Sequence, residues 1–295
     1  MEHKAVLMIR FAQNNLMKKI FWILAFSPIF FVACSDDTID DVLSGNISTA
    51  QIIDGLKMAL NVSSDTSIAN LSQFDGYFGD PEVKLNLPSG TKFAIEALKT
   101  KTIDLGIATI TGDDLYNGTT ILGITIPGIS STEAEVIEGI NRAAESAANT
   151  AKPIFADAIT NVSILDASSI LLSGSDTSAT SYLRTNTGGQ MYQAYEPKVD
   201  STLEAINIGN VSVAKSYEDL VQDYNDLLNI GLPGFGNIGS LANLTPIQVD
   251  DLSAYTTERA LDGLYDKMGE EETAIRNDPA ARVNDLLSLV FGLLN

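Results

Sequence analysis

From Val136 to Val162 the apolar residues recur at helical spacing. The set is Val136, Ile137, Ile140, Ala143, Ala144, Ala147, Ala148, Ala151, Ile154, Phe155, Ala158, Ile159 and Val162. A stripe held for about eight turns at that period has to be buried along its length. The alanines in its middle let a neighbouring helix come close. A chain built around such a stripe packs helix on helix. Ser130 and Glu133 have capping-box spacing at its start, and Pro153, which lacks an amide donor, predicts a kink or break.

The same reading extends along the chain. Ser48 is positioned to cap a helix with Ile52, Ile53, Leu56, Ala59 and Leu60 on one face, followed by a second short helix near 65–73. Val83, Leu85 and Leu87 alternate with Lys84 and Asn86 before Pro88, which predicts an edge strand or extended segment. A helix over 90–103 follows. Further helices are expected at 165–173, 176–186 and 189–206, with Pro197 disturbing the last. Val213, Tyr217, Leu220, Val221, Tyr224, Leu227 and Leu228 mark an amphipathic helix stopped at Gly231. Val249, Leu252, Leu261, Leu264, Tyr265 and Met268 belong to the next helix or helix pair. Asp278-Pro279 reads as the cap and first residue of a final helix burying Val283, Leu286, Leu287, Val290, Phe291 and Leu294. Residues 103–129 differ: Thr and Ile alternate around Asn117-Gly118, a hairpin-turn dipeptide, so a small β-hairpin insertion is expected. The fold class is therefore all-α: a single-domain multi-helix bundle over 49–295 with a small hairpin or extended insertion.

At the N-terminus, Met17-Lys18-Lys19 precedes an apolar run over 20–32 and then Ala33-Cys34-Ser35. A membrane-spanning helix needs about 20 apolar residues, so the run reads as a signal peptide over 1–33, complete from Met17 even if translation starts at Met1. Phe31-Val32-Ala33-Cys34 resembles the bacterial lipobox, in which the cysteine becomes the acylated first residue. Residues 34–48 then form a flexible tether. Ser35, rather than Asp, directly after Cys34 predicts an outer-membrane lipoprotein, at the periplasmic face or the cell surface. The membrane is thus an expected partner, through the anchor.

What remains after residue 33 has no histidine, no tryptophan and no cysteine besides Cys34. That excludes a Ser-His-Asp triad, imidazole acid–base work, His-bound metals and a thiol redox pair. The net charge of −20 is repulsive to nucleic acid, which is excluded as a partner. Carboxylate chemistry and a cation held by oxygen ligands stay open.

Three constellations have competing readings. Gly234-Phe-Gly236-Asn-Ile-Gly239 is a literal GxGxxG, but a helix precedes it and Pro246 follows, so a flexible loop is expected rather than a dinucleotide site. Glu258, Asp262, Asp266 and Glu270 recur every four residues, as a solvated face or as oxygen ligands for a divalent cation. Arg142 is flanked by Glu138 and Glu145 beside the buried stripe, with Asn141 adjacent. Tyr182-Leu-Arg184 has the same ambiguity between a structural and a ligand-orienting arginine. The candidate polar network is Asn141, Arg142, Glu145, Arg184 and Asp262; no catalytic residue, metal ligand or cofactor is indicated.

Several separated segments occur in a familiar order. They are Gly55-Leu-Lys57-Met-Ala-Leu60, Val83-Lys-Leu-Asn-Leu-Pro88, Asn141-Arg-Ala-Ala-Glu145 running to Lys152-Pro-Ile-Phe-Ala-Asp157, Ala179-Thr-Ser-Tyr-Leu-Arg184, and Ala260-Leu-Asp-Gly-Leu-Tyr265 running to Pro279 and Val290-Phe-Gly292. Over about residues 50–292 the chain resembles the bacterial lipoprotein family known as domain of unknown function 4197. The segments near 103–129 and 231–246 depart from its pattern. The resemblance implies export and fold and carries no catalytic residues. The functional expectation is a non-catalytic binding or scaffolding module for an unknown protein or small-molecule ligand. The alternative is a carboxylate-dependent hydrolase acting on an envelope polymer.

Overall fold

The computed structural model describes residues 47–208 and 210–292, so the expectations for the signal peptide, for Cys34 and for most of the tether lie outside the described residues. The first described helix, α1 (Thr49–Leu71), is closed by a capping box between Ser48 and Gln51. It is one helix and not two. Ser63 and Ser64, which could have ended it, donate their hydroxyls to the helix's own carbonyls at Ala59 and Asn61. After α2 (Ser89–Lys99) comes a hairpin of β1 (Thr102–Asp104) and β2 (Thr109–Thr111), then a six-residue α3 (Gly112–Asn117). A second hairpin pairs β3 (Thr119–Ile121) with β4 (Ile124–Ile126). The insertion therefore holds two hairpins, and neither turns at Asn117-Gly118. That dipeptide ends α3, with Gly118 at φ +87°, while Leu122 and Gly123, both at positive φ, make the second turn.

The long stripe is buried or half-buried at every position read from it. It is carried by α4 (Ser130–Ala148) and α5 (Ala151–Thr160), which part at Asn149-Thr150 and not at Pro153. Pro153 falls in the first turn of α5, where a missing amide costs no helical bond. The Ser130/Glu133 box is absent because the helix starts one residue earlier than that spacing implies: Ile129 is the N-cap, Ser130 is already helical, and Glu133 pairs with Lys99 (3.1 Å). Next are α6 (Ile164–Leu172) and α7 (Ser178–Ala205). The latter is continuous where two helices were expected. Pro197 and Gln193, whose carbonyl loses its partner, both face solvent, so water can replace the lost bond.

A short pair of β5 (Asn207–Ile208) and β6 (Val211–Ser212) leads into α8 (Val213–Asn229). The glycine-rich segment is a fourth antiparallel pair, β7 (Gly231–Leu232) with β8 (Gly236–Asn237), followed by the five-residue α9 (Ile238–Ala242). Gly234 and Gly236 sit at positive φ and serve the turn, so this GxGxxG does not open a long helix. The chain then runs extended, with Val249 exposed, to α10 (Leu252–Asn277). Asp278-Pro279 starts only a 3-10 turn over 279–281, and Val283 is 69% exposed rather than buried. The last helix, α11 (Asp285–Gly292), buries Leu287, Val290 and Phe291; Leu294 lies outside the described residues.

In the packing, α7 lies against α10, α4 and α5, and α1 against α10, α5 and α11, while α8 covers α4. The described residues are thus mainly helical, with only two-stranded antiparallel pairs beside the bundle. Among them no single helix is long and apolar enough to cross a membrane.

Candidate functional site

The five residues of the expected polar network fall into two groups. On α4, Asn141 is fully buried. Its Oδ1 accepts from the Leu85 amide (2.8 Å) and its Nδ2 donates to the Leu85 carbonyl (2.9 Å) and to Ile137 O (2.7 Å). Val83, Leu85 and Leu87 are buried, and of the two expectations for this stretch, edge strand or extended segment, the second holds: it pairs with a side chain and not with another strand. One turn further on, Glu145 Oε1 accepts the amides of Tyr77 and Phe78 (3.2 Å each). Arg142 Nη1 lies 2.9 Å from Glu145 Oε2, and its Nη2 reaches Asp75 (2.8 Å) and Glu138 (3.2 Å). Partial burial pulls the Arg142 pKa down, but the hydrogen bonds to Glu145, Asp75 and Glu138 outweigh it and hold the guanidinium above its ordinary value. The guanidinium also lies 3.6 Å from the centroid of the exposed Phe74 ring. Burial, and then the Glu145 charge, push the Tyr77 phenol upward, and its hydroxyl donates to Ala260 O on α10. This group fastens the 74–87 segment to α4 and α10, and its arginine is structural.

Arg184 and Asp262 form the other group, an ion pair across α7 and α10 that Arg259 joins (2.9 Å to Asp262 Oδ2). Among the described residues no side-chain hydrogen bond or ion pair joins this pair to the α4 group. Arg184 lies over the Tyr265 ring, whose hydroxyl meets Thr187 Oγ1 at 2.9 Å and whose pKa burial raises.

Sequence reasoning missed a third cluster. Glu272 is buried, and its two oxygens accept the amides of Ala179 (2.9 Å) and Thr180 (2.7 Å) at the start of α7. Arg276, four residues on, holds Glu272 Oε1 and donates to Ser178 Oγ. The available signal was the Glu272/Arg276 spacing, which is that of a helical ion pair.

Between the Glu272 cluster and the Arg184 pair runs an open groove of about 620 Å³. Its α7 wall carries Thr177, Thr180, Ser181 and Arg184; its α10 wall is a face running from Tyr265 to Asn277. Asp266 and Glu270 belong to that face, and Glu270 pairs with Lys267 (2.9 Å). The four-residue acid series is therefore not one site: Asp262 is held by arginines and Glu270 by Lys267. Among the described residues no three acidic, histidine or cysteine side chains lie close enough to share a metal ion.

An all-α bundle whose buried carboxylates tie loops and helix ends, with a groove walled by hydroxyls and acids, defines the class of this protein. The chain belongs to the family described as Protein of unknown function (DUF4197), whose family model matches residues 46–110 and 119–292. No curated protein and no solved structure matches it. The unmatched residues 111–118 coincide with α3, so the departure from the family is narrower than the whole 103–129 segment, and the 231–246 segment lies within the match.

Proposed function

We propose that this is a lipid-anchored protein of the cell envelope, held through Cys34 at the outer membrane, and that it binds a partner or small ligand without transforming it. The groove between α7 and α10 carries the reading. It is large enough for a small ligand or a short extended segment, and its walls combine hydroxyls, carboxylates and one aromatic ring. The lipobox-like Phe31-Val32-Ala33-Cys34 supports the anchor. A hydrolase would use two facing acids of unequal pKa. Asp266 and Glu270 instead stand one turn apart on one helix face. Asp223 and Glu271, two carboxyl groups that burial and then neighbouring acids push upward, are not in the groove lining.

Crosslinking in intact cells followed by mass spectrometry tests the reading with two variants. Cys34→Ala removes the anchor, and Ser181→Trp fills the groove from its exposed α7 wall. Partners lost in both variants are the expected result. A captured set that Ser181→Trp leaves unchanged overturns the groove as the binding site.

A further inference from the structure

The end of the bundle where α1 begins differs from the rest of the surface. Ile47, the first described residue, is buried, so the segment that follows Cys34 is fastened to the fold here. α5 runs antiparallel to α1: Lys57 Nζ donates to Thr160 O (2.8 Å), and Lys152 Nζ lies 3.2 Å from Asp65. The last turn of α5 is therefore beside the early turns of α1. There the axis turns by 100° into α6, which packs on α1 and on α7, whose Ser178 Oγ donates to Ile170 O (2.7 Å). Being antiparallel to α1 and then turned through a right angle, the chain lays α6 across the end that the tether enters. This helix buries Ala167, Ile170 and Leu171, yet Leu165 is 79% exposed and Ile164 is 53% exposed. Single exposed aliphatic side chains are ordinary. The charge around these two is not. Residues 158–175 hold one charged side chain, Asp166, although 19% of the whole chain is charged. Asp166 is itself engaged, accepting from the Ser163 hydroxyl (2.6 Å) and the Tyr182 hydroxyl (3.2 Å).

We infer that this end of the bundle faces the bilayer, with Ile164 and Leu165 seated where headgroups meet acyl chains. This rests on the anchoring reading above and adds the orientation of the domain on its membrane. Ser48 is 14 residues beyond Cys34. At full extension such a segment reaches about 50 Å, so the start of α1 stays that close to the anchor. Docking within that reach is intramolecular, and a high effective concentration makes up for the small apolar area of two side chains. A carboxylate pressed against the leaflet would be desolvated and would meet the negative surface potential of anionic lipids. The acidic chain omits carboxylates from the one end that its anchor brings to the lipid, and presents aliphatic groups there instead.

The test is depth-dependent fluorescence quenching of the full acylated chain in vesicles of phosphatidylethanolamine and phosphatidylglycerol. Acylation occupies the Cys34 sulfur, so an introduced cysteine is the only thiol to label. Ser169→Cys puts the probe on the exposed face of α6, one turn from Leu165; Phe93→Cys puts it on α2, which is tied through Lys99 to the start of α4. Lipids spin-labelled high on the acyl chain are expected to quench the Ser169→Cys probe at least twofold more than the Phe93→Cys probe. Adding Ile164→Glu and Leu165→Glu should erase that difference; acids suit the first turn of a helix, and circular dichroism checks that the fold is kept. Equal quenching at the two positions, or a difference that survives the glutamates, overturns the inference. So does a Ser169→Cys probe already shielded from aqueous iodide in detergent, which means that a second copy covers the patch. Mass analysis of the same preparation separates the failures: with Cys34 acylated and no difference in quenching, the orientation falls and anchoring stands, whereas with Cys34 bare the anchoring reading itself fails.

Discussion

The side-chain amide of Asn141 pairs with Leu85 in both directions, accepting from its N–H at 2.8 Å and donating to its C=O at 2.9 Å. The geometry imitates one rung of a β-ladder in a place where no second strand exists. Asn141→Ala would leave both backbone groups of a buried residue unpaired. Each such group costs about 1–3 kcal/mol, so a loss of about 3 kcal/mol in unfolding free energy is expected. Urea unfolding followed by circular dichroism measures it. A loss below about 1 kcal/mol would mean that water takes over the pairing.

Glu272 and Arg276 form a buried pair whose carboxylate also closes the start of α7. Arg276→Met leaves that carboxylate buried without its cation, a change worth about 3–5 kcal/mol. Glu272→Gln keeps an acceptor oxygen for one amide but loses the charge that complements the helix end. Because each single variant strands the other partner, the double variant should be less destabilised than the sum of the two by about 1 kcal/mol or more. A double-mutant cycle in urea is the measurement, and simple additivity would refute the coupling.

These two clusters show what was legible in the sequence. The apolar stripe over 136–162 and its burial were readable because periodicity reports directly on which face is inside. Asn141, Arg142 and Glu145 were readable as polar residues beside that stripe, but not their partners. Leu85, Tyr77 and Phe78 are reached through backbone amides, which every residue has and no motif records. The second hairpin was misplaced for a related reason: Leu122 occupies a turn position at positive φ, which a leucine does not advertise. The start of α4 was misread because its N-cap is Ile129, a residue with no capping side chain to mark it, so Ser130 falls inside the helix. The groove was the least legible feature, since it comes from the meeting of α7 and α10 across more than 80 residues of sequence, an order of separation at which local patterns say little.

Close approach of α4 and α8 depends on Gly139. A Cβ there would lie 2.4 Å and 2.6 Å from the two methyls of Val213. Gly139→Ala gains about 1 kcal/mol of helix propensity but overpacks a tight contact, which costs about 1–3 kcal/mol. Because Val213 is fully buried and cannot swing out to solvent, the net effect should be destabilising. In a Val213→Ala background the clash is gone, and the same substitution should become neutral or stabilising. Thermal unfolding of the four proteins checks the reversal of sign; destabilisation in both backgrounds would place the strain elsewhere.

The link between the 80–82 segment and α10 should make stability depend on pH in a defined direction. Lys267 lies 2.8 Å from Asp80 and 2.7 Å from Glu82. The hydrogen bond from Lys267, against the smaller opposing effect of burial, holds the Asp80 carboxyl below its ordinary value. A carboxyl whose pKa is lower in the folded chain stabilises the fold fully above the unfolded value, about 4, and loses that contribution as pH falls through the depressed folded value. Asp80→Asn should therefore be less stable than the unmutated chain at neutral pH, with the difference closing toward pH 2. Lys267 is shifted the other way: burial lowers its pKa, but the hydrogen bonds to Asp80, Glu82 and Glu270 outweigh this and raise it. Its contribution is present below the ordinary lysine value, about 10, and is lost only as pH rises through the folded value, so it leaves the acid limb untouched. Urea titrations between pH 2 and pH 7 provide the comparison. A destabilisation by Asp80→Asn that stays constant across that range would show that the carboxyl acts through packing and not through its charge.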